Sequence, residues 1–166
     1  FDSIIVFTST KSKVSEIVKS LKRAGFPAQG ISSNLEQDMR EEVLRGFRSK
    51  RIRILVATDV MSRGIDIKEI NMVINYDVPY DTEAYIHRIG RTGRAGRSGD
   101  AILFVAPRER RMLESIERAT RQKIEQLQLP TTETVNNKRV AAFKQKITDT
   151  LAAGELAFMQ NLVEQY

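Results

Sequence analysis

The chain has 166 residues, 41% of them hydrophobic and 29% charged, which is enough to bury the core of one ordinary domain with a small appendage. Its 27 Lys and Arg against 21 Asp and Glu leave a net charge of +6, a balance that suits an anionic partner such as nucleic acid. The lack of cysteine excludes disulfides, thiolate metal sites and a cysteine nucleophile and agrees with a reducing, cytoplasmic setting; a single histidine speaks against a metal centre, and no apolar run is long enough to span a membrane. The chain opens at Phe1 without methionine and enters a strand almost at once, so it reads as a fragment that has lost an upstream portion.

Apolar, strand-like runs alternate with amphipathic stretches. Strands are expected at Ile4 to Phe7, Ala28 to Ile31, Ile52 to Ala57, Met72 to Asn75 and Ala101 to Val105. The first and third are nearly continuous and β-branched, as strands covered on both faces are, so the fold class is α/β: a parallel sheet flanked by helices. The first helix is expected from Lys13 to Ala24, burying Val14, Ile17, Val18 and Leu21, and is stopped by Gly25 and Pro27. The second runs from Glu36 to Phe47, with Met39, Val43, Leu44 and Phe47 on one stripe. A third spans Thr82 to Ile89 behind an Asp81 cap, and a fourth starts at Pro107 and runs to about Ile124. Arg110, Arg111, Arg118 and Arg121 make that last helix basic; a solvated outer face explains them as well as an RNA track does.

After Leu129-Pro130 the composition shifts to the polar stretch Thr131 to Thr134, read as a connector. Two short helical stripes follow, Val140, Phe143, Ile147 and Leu151, then Leu156, Met159, Val163 and Tyr166, parted by Gly154. The expected division is therefore a main domain over residues 1–129 and a linker with a helical hairpin over 130–166. So small a hairpin cannot bury both stripes alone; it packs on the main domain, belongs to a larger helical domain, or pairs with a second copy.

Two segments carry chemistry. His87-Arg88-Ile89-Gly90-Arg91-Thr92-Gly93-Arg94-Ala95-Gly96 spaces arginines three apart among glycines with no acid between them. Guanidinium forks grip phosphate oxygens and stay charged at any working pH, while glycine lets the backbone approach the anion. Glycine-arginine runs also occur in disordered tails, but this one lies between a helix start at Ala84 and the apolar run from Ala101. The second segment, Ala57 to Asp66, follows the strongest strand, where α/β sheets place ligand loops; it offers the Thr58 hydroxyl, Gly64 and the Asp66 carboxylate.

In order, Ile4 to Lys11, Gln37 to Arg40, Ala57 to Asp66 and His87 to Arg94 resemble motif IV, the QxxR element, motif V and motif VI of the second RecA-like domain of DEAD-box RNA helicases. The resemblance covers roughly residues 3 to 106, and His87 after Tyr85-Ile86 is similar to the DEAD-box branch rather than to relatives carrying glutamine there. It implies that Arg91 and Arg94 are arginine fingers reaching the γ-phosphate of ATP, which with its Mg2+ is held mainly by an N-terminal RecA-like domain, and that Gly64 and Asp66 meet the nucleotide on its ribose side. It implies that Thr10, Lys11, Arg40 and Thr58 hold RNA phosphates without reading sequence, and that His87 and Arg88 serve the contact between the two domains. From Pro107 to Pro130 the chain is similar to bacterial cold-shock helicases of the DeaD type, in which a helical dimerisation region follows; a homodimer through residues 138–166 is the corresponding expectation.

The sequence departs from the family where His-Gly-Asp usually precedes QxxR, since Ser32-Ser33-Asn34-Leu35 stands there. It also contains neither a Gly-x-x-x-x-Gly-Lys-Ser/Thr loop nor an Asp-Glu-Ala-Asp motif, so the resemblance implies half an active site, unable to hydrolyse ATP by itself. The alternative function is a non-enzymatic RNA-binding or dimerisation module of the same fold; a DNA-directed relative fits Tyr85 to Arg94 less well.

Overall fold

A computed structural model of the chain describes residues 3–59, 70–93 and 98–152. They belong to two compact units, residues 1–123 and 124–166, each taken by itself below.

Five parallel strands form the first unit: β1 (Ile4–Phe7), β2 (Ala28–Ile31), β3 (Ile54–Ala57), β4 (Met72–Asn75) and β5 (Asp100–Leu103). Their order is β2-β3-β1-β4-β5, so the chain fills one side of β1 first and then crosses it to fill the other. Strand order reverses between β1 and β4, and a sheet of this kind opens its ligand crevice at the carboxyl ends of the strands at that point. Short β-branched strands persist here because both faces are covered. The pleat turns Ile5 and Phe7 to one side, where Ile31, Leu55 and Val73 meet Val43, Leu44 and Phe47 of helix α2 (Gln37–Arg48). It turns Ile4 and Val6 to the other, where Ala28, Ile54 and Val56 meet Val14, Ile17, Val18 and Leu21 of helix α1 (Lys11–Arg23). At Gly30 a Cβ would stand 2.6 Å from Val14 Cγ1, so only glycine allows α1 to lie this close to β2.

Helix α3 (Thr82–Ile89) starts where expected, with the Asp81 carboxylate accepting the Ala84 amide at 2.7 Å. A 3-10 turn at Pro107–Glu109, closed by Glu109 accepting the Ala106 amide at 2.8 Å, leads into α4 (Arg110–Thr120).

Several expectations shift, among them the start of the first helix, at Lys11 rather than Lys13. The third strand begins at Ile54 rather than Ile52, because the Ile52 and Arg53 amides are committed to the carbonyls of Gly46 and Pro27. The last strand is Asp100–Leu103 rather than 101–105. Helix α4 stops at Thr120, short of Ile124, because Arg121 takes the left-handed conformation, φ 55°. Met39 is not on the buried stripe; it is 47% exposed, and Leu35 from the preceding loop packs against that core.

In the second unit the polar stretch after Pro130 is the start of a helix rather than a connector. The Thr131 hydroxyl accepts the Thr134 amide at 3.2 Å, as an N-cap does, and α5 runs from Thr132 to Ala152. Val140, Phe143 and Ile147 are exposed along it. The second expected stripe, from Leu156 to Tyr166, lies outside the described residues.

Candidate functional site

The carboxyl ends of β1, β3 and β4 meet at one edge, and the side chains there are tied together by two carboxylates and one buried arginine. Arg88, on the last turn of α3, is 2% exposed. Its guanidinium donates Nε to Asp59 Oδ1 and Nη2 to Asp59 Oδ2, both at 2.6 Å, while Nη1 donates to Asn75 Oδ1 at 3.3 Å and to the Asp77 carbonyl at 3.0 Å. The guanidinium carbon stands 5.4 Å from the centre of the Phe7 ring, in cation–π range. A single side chain thus joins α3 to the loops after β3 and β4 across the end of β1. A planar fork is what such a post requires, since a lysine ammonium could not satisfy a bidentate carboxylate and two further acceptors at once.

Asp77 does the same work on the neighbouring loop. Its Oδ2 accepts the Thr8 hydroxyl at 2.6 Å, the Ser9 amide at 2.9 Å and the Ser9 hydroxyl at 3.1 Å, and its Oδ1 pairs with the Lys13 ammonium. Partial burial pushes this carboxyl up, but the bonds from Lys13, Thr8 and Ser9 outweigh it and bring it down to about 2. The bond to Asp77 in turn raises the Lys13 ammonium above its ordinary range.

The residues expected to hold RNA line the same edge. Thr10 caps α1, its hydroxyl accepting the Lys13 amide at 3.4 Å, and Lys11 Nζ donates to Asn34 Oδ1 at 3.4 Å, bridging to the loop after β2. The first turn of α1 has no acidic residue of its own, and the carboxylate nearest its amino end is Asp77, held by the Ser9 amide and Lys13. Arg40 lies in the first turn of α2, and Thr58 immediately follows β3, next to Asp59. Strand order β2-β3-β1 sets these three loops side by side.

Arg91 follows α3, three residues beyond Arg88, and its amide donates to the Arg88 carbonyl at 3.2 Å. Thr92 continues the turn, its hydroxyl donating to the Ile70 carbonyl at 2.6 Å. His87 is exposed, 3.9 Å from Glu83. Arg88, expected with His87 at a contact between domains, is buried within this unit, with its guanidinium on Asp59, Asn75 and the Asp77 carbonyl. Gly64, Asp66 and Arg94 lie outside the described residues. Asp59, Asn75, Asp77 and Lys13 were not singled out from the sequence. The one available signal was the polar pair Asn75 and Asp77 directly closing the apolar run Met72-Val73-Ile74.

Among the described residues no cluster of His, Cys, Asp and Glu could hold a metal ion, and no helix is long and apolar enough to cross a membrane. The carboxylates at the edge, Asp59 and Asp77, are engaged by Arg88 and Lys13, so this edge presents cations, hydroxyls and amides to an anion.

A parallel α/β sheet with cations, hydroxyls and amides at the carboxyl ends of its strands is a build shared by many nucleotide-binding domains, and likeness to known proteins narrows it. Residues 1–96 match the family described as the helicase conserved C-terminal domain, and the chain belongs to that family. Residues 130–166 match a second one, the RNA helicase DeaD dimerization domain. The chain is 50% identical over its whole length to the ATP-dependent RNA helicase DeaD of Mycobacterium tuberculosis (strain H37Rv) and covers 30% of that protein, so it spans under a third of this relative. Among solved structures it is similar to a DEAD box protein from Methanococcus jannaschii, with 50% identity, a TM-score of 0.70, and 76% of this chain and 35% of that one covered. It is also similar to S. cerevisiae Dbp5 bound to RNA and ADP BeF3, with 35% identity, a TM-score of 0.70, and 83% and 37% covered. The sheet is thus the RecA-like one of DEAD-box proteins.

The Asp77 cluster has a pH signature. Because the folded carboxyl titrates near 2, below the 3.8 of an unperturbed one, its contribution is complete above about pH 4 and is lost as pH falls towards 2. After allowance for solvent screening the contribution is on the order of 1 kcal/mol. Acid unfolding of the parent and of Asp77→Asn should therefore converge as pH drops from about 4 to 2; parallel curves through that window would contradict the cluster.

Proposed function

We propose that this chain is the second motor domain of an ATP-dependent RNA helicase, closing on RNA and on ATP that a preceding RecA-like domain holds, with residues 130–166 forming a homodimer. The observation that carries the reading is the Arg88 tie: it fixes the turn bearing Arg91 to the loop bearing Thr58, so a phosphate-directed arginine and a backbone-directed hydroxyl share one rigid edge. The likeness to proteins named ATP-dependent RNA helicase and to a protein solved with RNA and ADP BeF3 supports it.

In this reading Arg91 and Arg94 face the γ-phosphate. ATP with Mg2+ supplies the bond to be cleaved, and the metal neutralises part of the phosphate charge. The arginines of this chain stabilise the remaining charge that develops as the bond to the γ-phosphoryl group breaks, a contribution of about 10³ or more in rate in related systems. Gly64 and Asp66 take the ribose side, and exposed His87 takes the domain contact. Thr10, Lys11, Arg40 and Thr58 hold the RNA backbone. These contacts go to phosphates, so they carry no base information and weaken with salt. Residues 1–129 make up the motor domain. The exposed row Val140, Phe143 and Ile147 on α5 gives residues 130–166 the apolar face that a second copy would cover.

Two measurements test the reading. In the complete protein, Arg91→Ala should lower RNA-stimulated ATP hydrolysis by about 10³ while ATP still binds; parental turnover would refute the finger. In sedimentation, this chain should show a dimer that one ending at Leu129 does not; equal monomer masses would refute pairing through the tail.

A further inference from the structure

Asp77 lies in no segment that the family resemblance draws upon, yet its carboxylate is the most heavily engaged at the edge. It grips the β1–α1 turn at two places. Thr8 and Ser9 donate to one oxygen just before Thr10, and Lys13 pairs with the other just after Lys11. The donors lie 64 to 69 residues away in sequence, so these bonds brace the turn from outside, in addition to its own Thr10–Lys13 cap. The same residue's carbonyl receives Arg88. We propose that Asp77 is the positioning residue of the RNA-facing turn: by clamping Ser9 and Lys13 it sets Thr10, Lys11 and the amino end of α1 in the arrangement that accepts an RNA phosphate, and through Arg88 it links that turn to the helix carrying Arg91.

The electrostatics agree. An uncompensated carboxylate beside a phosphate would repel it, whereas Asp77 spends its charge on Lys13, and the first turn of α1 holds no other acid. What the RNA meets is a capped helix end with Lys11 beside it, held from behind. The inference rests on Thr10 and Lys11 being RNA contacts.

The test is the affinity of this chain for a uridine oligonucleotide, followed by NMR, in the parent, Thr10→Ala, Asp77→Ala and the double variant. Each single change should raise Kd about fivefold, the scale of a lost hydrogen-bonded contact, and the Ser9 amide should exchange at least tenfold faster in Asp77→Ala. Because Asp77 acts through the turn that Thr10 occupies, the double variant should bind no more weakly than the weaker single one. A purely structural loss would instead multiply, so a double variant weakened by the product, about 25-fold, overturns the proposal. So does parental affinity in Asp77→Ala while Thr10→Ala is weakened. Parental affinity in Thr10→Ala removes the RNA reading of the turn, and the proposal with it. Should Asp77→Ala not fold, Lys13→Gln removes one clamp and leaves the carboxylate unpaired beside the phosphate; affinity equal to the parent would then overturn the proposal.

Discussion

The edge depends on one buried cation. Arg88 sits at 2% exposure with its fork on Asp59, its second amine on Asn75 and the Asp77 carbonyl, and its plane near Phe7. A charge this deep is tolerable only when paired and fully hydrogen-bonded, and removing one partner of such a group costs far more than the intact pair contributes. That asymmetry makes the arrangement close to all-or-none. The loops after β3 and β4 and the end of α3 hold their places together, and no buried side-chain polar atom among the described residues is left without a partner.

The apolar frame explains why this cation is where it is. Parallel strands with helices on both faces leave the carboxyl ends of the strands as the one place where polar groups gather without breaking a core. Leu55, Val56 and Val73 are fully buried just beneath, and Asn75 and Thr8 are the first polar residues above them, themselves fully buried and bonded. The next layer holds the charges, Asp59, Asp77, Lys13 and Arg88. The outermost one holds Thr10, Lys11, Thr58 and Arg91, the groups assigned to phosphate. Strands β1 and β4 each close on a buried polar residue, Thr8 just after the first and Asn75 at the end of the second, before the charged groups begin, whereas β3 passes directly from buried Ala57 to half-buried Thr58 and Asp59.

Much of this was legible in the sequence, and the remainder was hidden for physical reasons. Strands such as Ile4–Phe7 and Met72–Asn75 announce themselves because a β-branched run bounded by turns has few other uses, and Asp81 marks a helix start because its side chain acts on amides only three residues away. The burial of Arg88 could not be read from the sequence, where it stands beside His87 as a residue for the contact between domains. Its true partners, Asp59 and Asn75, stand 29 and 13 residues off and meet it only through strand order. For Asp77 the sequence carried only its place just after the apolar run Met72-Val73-Ile74, because its donors are over 60 residues away. The threonines after Pro130 misled, since a polar cluster serves a loop or a helix cap equally well and only the Thr131 bond distinguishes them.

The coupling between Arg88 and Asp59 is the most direct test of this account. A double-mutant cycle with Arg88→Met and Asp59→Ala, read by urea unfolding, should give an interaction energy of about 2 kcal/mol or more, because each single change leaves a buried or half-buried charge without its partner. If the two changes simply add, within about 0.5 kcal/mol, the fork does not hold the edge together and the account fails at its centre.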